Sequence, residues 1–353
     1  MSARGAFRLS DGQLRGWLGA LLDGGWRVVA PVVEDGILLP RPVAASEEAV
    51  LGGAGKTRWS PKEWLLPRSE RLYSYRLDGA AVTLEDVRFV AAPQVLFGVR
   101  PCDAAGLVRL DGILLGETAD PTWEARRGAT VVVSVACTAP GAECFCTAVG
   151  GSPSGEEGSD VQLVALEEGW LLQPLSLRGQ ELAAAGDDGW EEATGDDLEA
   201  AREQARSAAG QISREPVPAH WGELLEAAFE HPIWERLADR CLRCGTCAYV
   251  CPSCGCFDLN HRGDAWSGAQ WRSWDSCGFA LFTRHASGHN PRAVQGERYR
   301  QRVLHKFGRA GGAFFRCVGC GRCTLCCPAG LDIAEAVREA ATTVLEEARD
   351  GDG

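Results

Sequence analysis

Two segments of the chain carry the same spacing of cysteines. The segments read Cys241-x2-Cys244-x2-Cys247-x3-Cys251-Pro252 and Cys317-x2-Cys320-x2-Cys323-x3-Cys327-Pro328. This spacing is typical of loops around a cubane [4Fe–4S] cluster, because three thiolates two residues apart can wrap three corners of the cube. Gly245, Gly319 and Gly321 lie between the thiols and let backbone N–H groups approach the sulfurs. Zinc also binds Cys-x2-Cys pairs, but zinc sites usually combine two separated pairs. The repeat therefore predicts two [4Fe–4S] clusters.

The fourth cysteine of each copy precedes a proline. In two-cluster ferredoxins that cysteine ligates the other cluster, and we predict the same exchange here. The predicted first cluster takes Cys241, Cys244, Cys247 and Cys327. The predicted second cluster takes Cys317, Cys320, Cys323 and Cys251. Cys326 competes with Cys327 by its spacing, but Pro328 favours Cys327, so we interpret Cys326 as a small buried hydrophobic residue.

Four further cysteines lie in the first half of the chain. They are Cys102 in "GVRPCDAAGL" and Cys137, Cys144 and Cys146 in "ACTAPGAECFCTAVG". Both segments follow apolar runs, 93–100 and 129–137, that are typical of buried strands, so we expect their ends to meet at one sheet edge. Four thiols is the number that a third [4Fe–4S] cluster needs. A zinc site and unligated thiols near a pocket remain the alternatives.

Three cysteines remain, Cys254, Cys256 and Cys277, and two histidines follow at 285 and 289. A mixed Cys/His metal site is one interpretation. A network of hydrogen bonds with a structural role is the other, and a histidine pair beside Asn-Pro more often has such a role.

Composition excludes several classes of function. The net charge of −12 argues against a nucleic-acid or anionic membrane surface, which would need a basic face. The start of the chain has no signal-peptide pattern, and no apolar run is long enough for a membrane span. Sixteen cysteines without an oxidising compartment indicate metal binding in the cytoplasm. Gly55-Lys56-Thr57 resembles the end of a phosphate-binding loop, but Val50 stands where that loop needs glycine.

The chain divides by pattern into three parts. Residues 1–185 have the features of an α/β domain, with a helix predicted over 13–25, two strands over 26–40 and a helix start at Ser60. Residues 186–220 are predicted to form an acidic linker. Residues 221–353 are predicted to form a mainly α-helical, ferredoxin-like dicluster domain that ends in an amphipathic helix over 331–350.

Several segments together resemble a known family. They are "PKEWLLPRSERLY", "LFGVRPCDAAGL", "CTAPGAECFCTAVG", "CLRCGTCAYVCPSCGCFD", "WDSCGFALFTRHASGHNPR", "RVLHKF" and "CVGCGRCTLCCPAGLDI". The chain resembles the iron–sulfur beta subunits of cytoplasmic sulfhydrogenase-type [NiFe] hydrogenases and, equally, the dicluster iron–sulfur subunit of anaerobic sulfite reductase. The resemblance implies an electron-transfer subunit beside a flavin subunit that reacts with NAD(P)H. It also implies a terminal partner of the hydrogenase, sulfite reductase or heterodisulfide-reductase type, and it strengthens the hypothesis of a third cluster.

A second class of function remains open. The chain would then be a redox enzyme with its own site around Cys102, Cys144 and Cys146, with the clusters as an internal electron path. The absence of a dinucleotide fingerprint, a phosphate-binding loop or a nucleophile-elbow motif favours the electron-transfer subunit.

Overall fold

The computed structural model describes residues 5–52, 55–86, 91–186, 189–215, 217–218, 220–308 and 315–351. The chain forms two compact units. The first comprises Met1–Pro61, Ala91–Pro216 and Val318–Gly321, and the second comprises Lys62–Val90, Val217–Cys317 and Arg322–Gly353. Each unit therefore draws on separate stretches of sequence. The domain boundaries proposed from sequence stay a prediction.

The first unit is built on an eight-stranded mixed sheet with the order β10-β1-β9-β8-β7-β6-β2-β3. Its strands are β1 (Phe7–Leu9), β2 (Arg27–Glu34), β3 (Ile37–Pro42), β6 (Gln94–Val99), β7 (Thr130–Val135), β8 (Val161–Ala165), β9 (Trp170–Pro174) and β10 (Glu191–Glu192). Strands β2, β6, β7 and β8 are parallel neighbours, and every residue of β6 and β7 is buried. The predicted strand pair over 26–40 is confirmed as the β2–β3 hairpin. Its turn places Asp35 and Gly36 at positive φ, as a two-residue hairpin requires.

Helices of the first unit are α1 (Asp11–Asp23), α2 (Pro101–Leu114), α3 (Pro121–Gly128), α4 (Leu177–Ala184) and α5 (Gly195–Gly210). Helix α1 confirms the helix predicted near 13–25. It begins in a capping box, because Gln13 N–H donates to Ser10 Oγ (3.2 Å) while the Gln13 side chain accepts from Ser10 N–H (2.9 Å). Trp17 of α1 packs on Phe97 of β6 with ring centroids 5.6 Å apart. The α/β class of this part of the chain is thus confirmed.

The second unit contains a four-stranded antiparallel sheet with the order β11-β12-β4-β5. Its strands are β4 (Ser69–Asp78), β5 (Ala81–Asp86), β11 (Phe257–Gly263) and β12 (Ser267–Trp274). Glu70 of β4 and Arg272 of β12 form a buried ion pair across this sheet, with Arg272 Nε 2.9 Å from Glu70 Oε1. Because of this sheet, the description of the carboxyl-terminal part as mainly helical is not confirmed.

Helices of the second unit are α6 (Trp221–Ala227), α7 (Ile233–Ala238), α8 (Thr246–Tyr249), α9 (Gln295–Phe307), α10 (Arg322–Leu325) and α11 (Ile333–Gly351). Helix α11 confirms the helix predicted over 331–350. The helix start predicted at Ser60 is a single 3₁₀ turn, Pro61–Trp64. Within the described ranges, the chain contains no helix that is both long and apolar enough to cross a bilayer.

Candidate metal centres

A cavity of about 50 Å³ in the second unit is bordered by cysteines from both repeated motifs. The cysteines at its wall are Cys241, Cys244, Cys247, Cys323 and Cys327. The loop after α7 can turn tightly around the cavity because Arg243 and Gly245 adopt positive φ. The four thiols predicted for the first cluster therefore border one space, and this donor set fits an iron–sulfur cluster.

The cavity wall also bears on the choice between the two adjacent cysteines of the second motif. Cys327 borders the cavity, whereas Cys326 is not among the residues around it. The backbone N–H of Leu331 donates to Cys327 Sγ (3.3 Å), and Gln295 Nε2 donates to Cys241 Sγ (3.1 Å). N–H···S hydrogen bonds of this kind orient ligating thiolates and tune a bound cluster.

Helix α9 lines up buried basic side chains beside the thiols. Arg298, Arg302 and Lys306 are buried and follow one another at intervals of four residues, which places them on one helix face. Arg298 and Arg302 border the cavity, and Arg302 Nη2 donates to the Cys247 carbonyl (3.2 Å). A row of cations offsets the negative charge of thiolates in a low-dielectric interior. The sequence analysis did not predict this row. The signal for it was the spacing of four residues between the basic residues Arg298, Arg302 and Lys306.

Burial acts on the thiols as well. It raises the pKa of Cys247 above its ordinary value, against the opposing effect of the Arg302 charge. A neutral thiol at this position must lose its proton when it ligates a metal, so metal binding releases protons here.

The thiols of the second predicted cluster are placed differently. Cys251 is buried, and both Cys251 and Cys317 interact electrostatically with the ammonium group of Lys306. Lys306 Nζ donates to the carbonyl (3.0 Å) and the hydroxyl (2.8 Å) of Ser253. Cys317 and Cys323 belong to the second unit, whereas Cys320 lies in the short segment that belongs to the first.

The amino-terminal cysteines lie where the parallel strands of the first unit end. Val99 of β6 pairs with Ser134 of β7, and Cys102 and Cys137 each follow three residues later. The predicted meeting at one sheet edge is therefore confirmed for these two segments. Burial raises the pKa of Cys146 to about 12, and the neighbouring Cys137 and Cys144 thiols add to the shift.

Two basic side chains hold this thiol loop. Lys56 donates to the Glu143 carboxylate and to Cys144 Sγ, the latter at 3.1 Å. Arg100 donates to the Ala136 carbonyl (3.2 Å) and the Gly55 carbonyl (3.1 Å). Lys56 belongs to the stretch that resembled a phosphate-binding loop, in which residues 53 and 54 lie outside the described part. Its described contacts are with the thiol loop.

Part of the second cysteine motif packs against the same loop within the first unit. Phe145 N–H donates to the Gly319 carbonyl (2.8 Å), and Cys144 Sγ lies 3.9 Å from the Cys320 carbonyl oxygen. Gly319 has φ of +63°, and a Cβ there would lie 2.5 Å from the Cys146 backbone. This glycine is thus needed for loop contact as well as for the approach of N–H groups to sulfur.

The remaining cysteines form thiol contacts in the second unit. The side chain of Cys254 hydrogen-bonds to Cys251, and that of Cys256 hydrogen-bonds to Cys277. The histidines at 285 and 289 stack edge to face at 5.4 Å, and their backbones hydrogen-bond (2.8 Å). In the described ranges, no three His, Cys, Asp or Glu side chains are placed to hold a single metal ion. The histidines at 285 and 289 therefore do not join these cysteines in a three-ligand group within the described residues.

Comparisons with known proteins agree with the motifs. A family model described as a 4Fe-4S dicluster domain matches residues 240–331. Sulfhydrogenase 2 subunit beta of Pyrococcus furiosus is 31% identical over 300 residues, which cover 84% of this chain and 84% of that protein. The match extends well beyond the dicluster region.

Proposed function

Because the chain belongs to the family of iron–sulfur beta subunits that includes this sulfhydrogenase subunit, we propose that it carries electrons between two redox partners of a larger complex. The observation that carries the proposal is the cavity bordered by Cys241, Cys244, Cys247 and Cys327, with the cations of α9 beside it. An iron–sulfur cluster bound there supplies reversible one-electron uptake.

The chain's own residues prepare that cavity for electron transfer. The four thiolates hold the first cluster, and the N–H groups of Gln295 and Leu331 donate to two of the ligand sulfurs. Such donors stabilise added negative charge and favour the reduced state. The buried guanidinium of Arg302 acts in the same direction because its charge remains fixed at every pH of interest.

The second cluster takes Cys317, Cys320, Cys323 and Cys251, and the third takes Cys102, Cys137, Cys144 and Cys146. The exchange of the fourth ligand that is usual in two-cluster ferredoxins supports the second assignment. The shared sheet edge, and the electrostatic coupling among Cys137, Cys144 and Cys146, support the third. The contact of residues 319 and 320 with the Cys144 loop would then give electrons a short covalent and hydrogen-bonded path.

The partners follow from the same family. A flavin subunit that oxidises NAD(P)H delivers electrons, and a terminal subunit of the hydrogenase or sulfite reductase type consumes them. Sixteen thiols require a reducing compartment, so we assign the complex to the cytoplasm.

The test counts iron and acid-labile sulfide per chain in anaerobically purified protein and follows reduction by dithionite with EPR. About 12 iron atoms correspond to three clusters and about 8 to two. Cys327→Ser should lower the count by up to four, while Cys326→Ser, its matched control, should keep the wild-type count. Loss of iron in Cys326→Ser but not in Cys327→Ser would overturn the ligand assignment.

A second arm tests the role rather than the cofactor. NADPH with a ferredoxin–NADP reductase as the probe flavoprotein should bleach the iron–sulfur absorbance, and the isolated chain should neither evolve hydrogen nor reduce sulfite. If the isolated chain contained about 8 iron atoms and reduced sulfite, the proposal of an electron-transfer subunit would be wrong. The chain would then be a redox enzyme with its own amino-terminal site.

A further inference from the structure

Two cysteines outside the repeated motifs are held together by strand pairing. Phe257 of β11 pairs with Trp274 of β12, so the residues just outside this pair are brought side by side. Asp275 N–H donates to the Cys256 carbonyl (3.0 Å), and the thiols of Cys256 and Cys277 hydrogen-bond to each other. Cys277 is buried and Cys256 is half-buried. The strand pairing therefore brings the backbone of Cys256 beside the segment that carries Cys277, and the two thiols interact there.

Two buried ammonium groups lie near this thiol pair. Lys62 Nζ donates to the carbonyls of Ala248 (3.0 Å) and Cys254 (2.8 Å), and Lys306 Nζ is held by Ser253. Both lysines are almost fully buried, and both of their charges act on Cys256. Cations in a low-dielectric site favour a thiolate over a thiol. Neighbouring thiolate charges outweigh burial and raise the pKa of Lys306, whereas burial lowers the pKa of Lys62, so Lys306 is the stronger of the two cations.

The hydrogen bond divides the roles of the two sulfurs. Cys277 donates a hydrogen bond to Cys256, and this bond holds the pKa of Cys256 below its ordinary range. The lysine charges act in the same direction, and burial acts against them. The same hydrogen bond, together with burial, raises the pKa of Cys277. One thiolate that accepts a hydrogen bond from a neighbouring thiol is the arrangement of reactive dithiols.

The neighbouring Cys254 does not share this role. Its thiol hydrogen-bonds to Cys251, which the proposed function assigns to the second cluster. The three proposed clusters use twelve thiols, and neither Cys256 nor Cys277 is among them. The pair is therefore available for chemistry of its own.

We infer that Cys256 and Cys277 form a redox-active dithiol that stores two electrons next to the one-electron centres of the chain. On oxidation the S–S bond forms between the Cys256 thiolate and the Cys277 thiol, the Cys277 proton is released, and two electrons leave. They leave one at a time, through a two-sulfur radical anion, to two oxidised iron–sulfur clusters. On reduction the same electrons and proton return. The inference rests on the proposed function for its electron acceptors.

The experiment uses the full chain with its clusters, poised anaerobically with redox mediators at a series of potentials. Each sample is denatured in N-ethylmaleimide, and the peptides that carry residues 256 and 277 are analysed by mass spectrometry. We expect a disulfide-linked peptide pair whose ratio to the alkylated form changes tenfold for about 30 mV, as for a two-electron couple. Visible absorbance of the same samples reports the clusters independently.

Variants supply a second readout. In a reductive titration from the oxidised state, wild type should take up two more electrons per chain than Cys277→Ser or Cys256→Ser, with unchanged iron in all three. Cys326→Ser is the matched control and should retain the two extra electrons.

The outcomes separate the two proposals. A pair that stays fully alkylated at every potential while the clusters bleach refutes the dithiol and leaves the proposed function intact. Iron loss in Cys256→Ser or Cys277→Ser also refutes it, because the residue would then be a cluster ligand. Absorbance that does not change with potential refutes the proposed function, and with it the acceptors that the dithiol needs.

Discussion

Substitution of Gly319 by alanine should separate the second cysteine motif from the amino-terminal thiol loop. The new Cβ would lie 2.5 Å from Cys146 Cα, whereas ordinary contact begins at 3.4 Å. Relief of the clash needs a movement of about 0.9 Å, the difference between these two distances. The same movement would stretch the hydrogen bond from Phe145 N–H to the Gly319 carbonyl from 2.8 Å to about 3.7 Å, beyond the hydrogen-bonding range.

The loss of unfolding free energy in Gly319→Ala has two parts that can be measured separately. A left-handed conformation costs an alanine roughly 1–2 kcal/mol relative to glycine. An unsatisfied buried amide adds about 1–3 kcal/mol. Gly36 has φ of +74° with no atom near its missing Cβ, so Gly36→Ala carries only the first part. Gly319→Ala should therefore be more destabilising than Gly36→Ala by about 1–3 kcal/mol, the cost of the lost hydrogen bond.

The assay is urea unfolding followed by tryptophan fluorescence, together with the rate at which Cys146 is alkylated in the metal-free protein. Gly319→Ala should show the larger loss of unfolding free energy and faster alkylation, and Gly36→Ala should alkylate at the wild-type rate. Equal destabilisation by the two variants, with equal alkylation, would refute the contact between the two loops.

Three other predictions follow from single contacts. Gln295→Leu removes an N–H···S hydrogen bond from a ligand thiol, so the cluster potential should become more negative in a redox titration with EPR while Gln301→Leu, on the same helix, leaves it unchanged. Arg272→Met leaves the Glu70 carboxylate buried without its ion-pair partner, and thermal unfolding should show a loss of about 3–5 kcal/mol in unfolding free energy. The double variant with Glu70→Leu should recover most of that loss. An unchanged unfolding free energy in Arg272→Met would contradict the prediction. Burial and nearby cations lower the pKa of His305 to about 4, so the unfolded chain binds more protons, and stability should fall as the pH drops from about 6.5 towards 4. Because the residue is only partly buried and keeps contact with solvent, screening limits the effect to about 1 kcal/mol, and His305→Gln should reduce the acid sensitivity of the melting temperature.

Local signals were sufficient for much of the first unit. Ser10 with Gln13 fixes the start of α1, and Asp35 with Gly36 fixes the β2–β3 turn, because both depend on residues only a few positions apart. The repeated cysteine spacing was equally informative for the site, since a short loop must supply three corner ligands by itself.

The sheet of the second unit was not predictable in the same way. Strand β11 has polar residues on both faces and little burial, so its sequence lacks the alternation that marks a half-buried strand. Its pairing depends on residues far away in the chain. The same limit hid Lys62, whose burial near Cys254 follows from tertiary contacts rather than from its neighbours in sequence.

The pairing of β4 with β12 has a consequence for biosynthesis. Strand β4 leaves the ribosome early, but its central partner is complete only when residue 274 has been made. Until then the β4–β5 hairpin lacks its neighbour β12, and such long-range pairing is slow and prone to aggregation. Insertion of the first proposed cluster must come later still, because its ligand Cys327 is synthesised after residue 274. A fragment that starts at residue 221 would lack two of the four strands and the Lys62 ammonium, so its failure to assemble would say nothing about the cysteine motifs themselves.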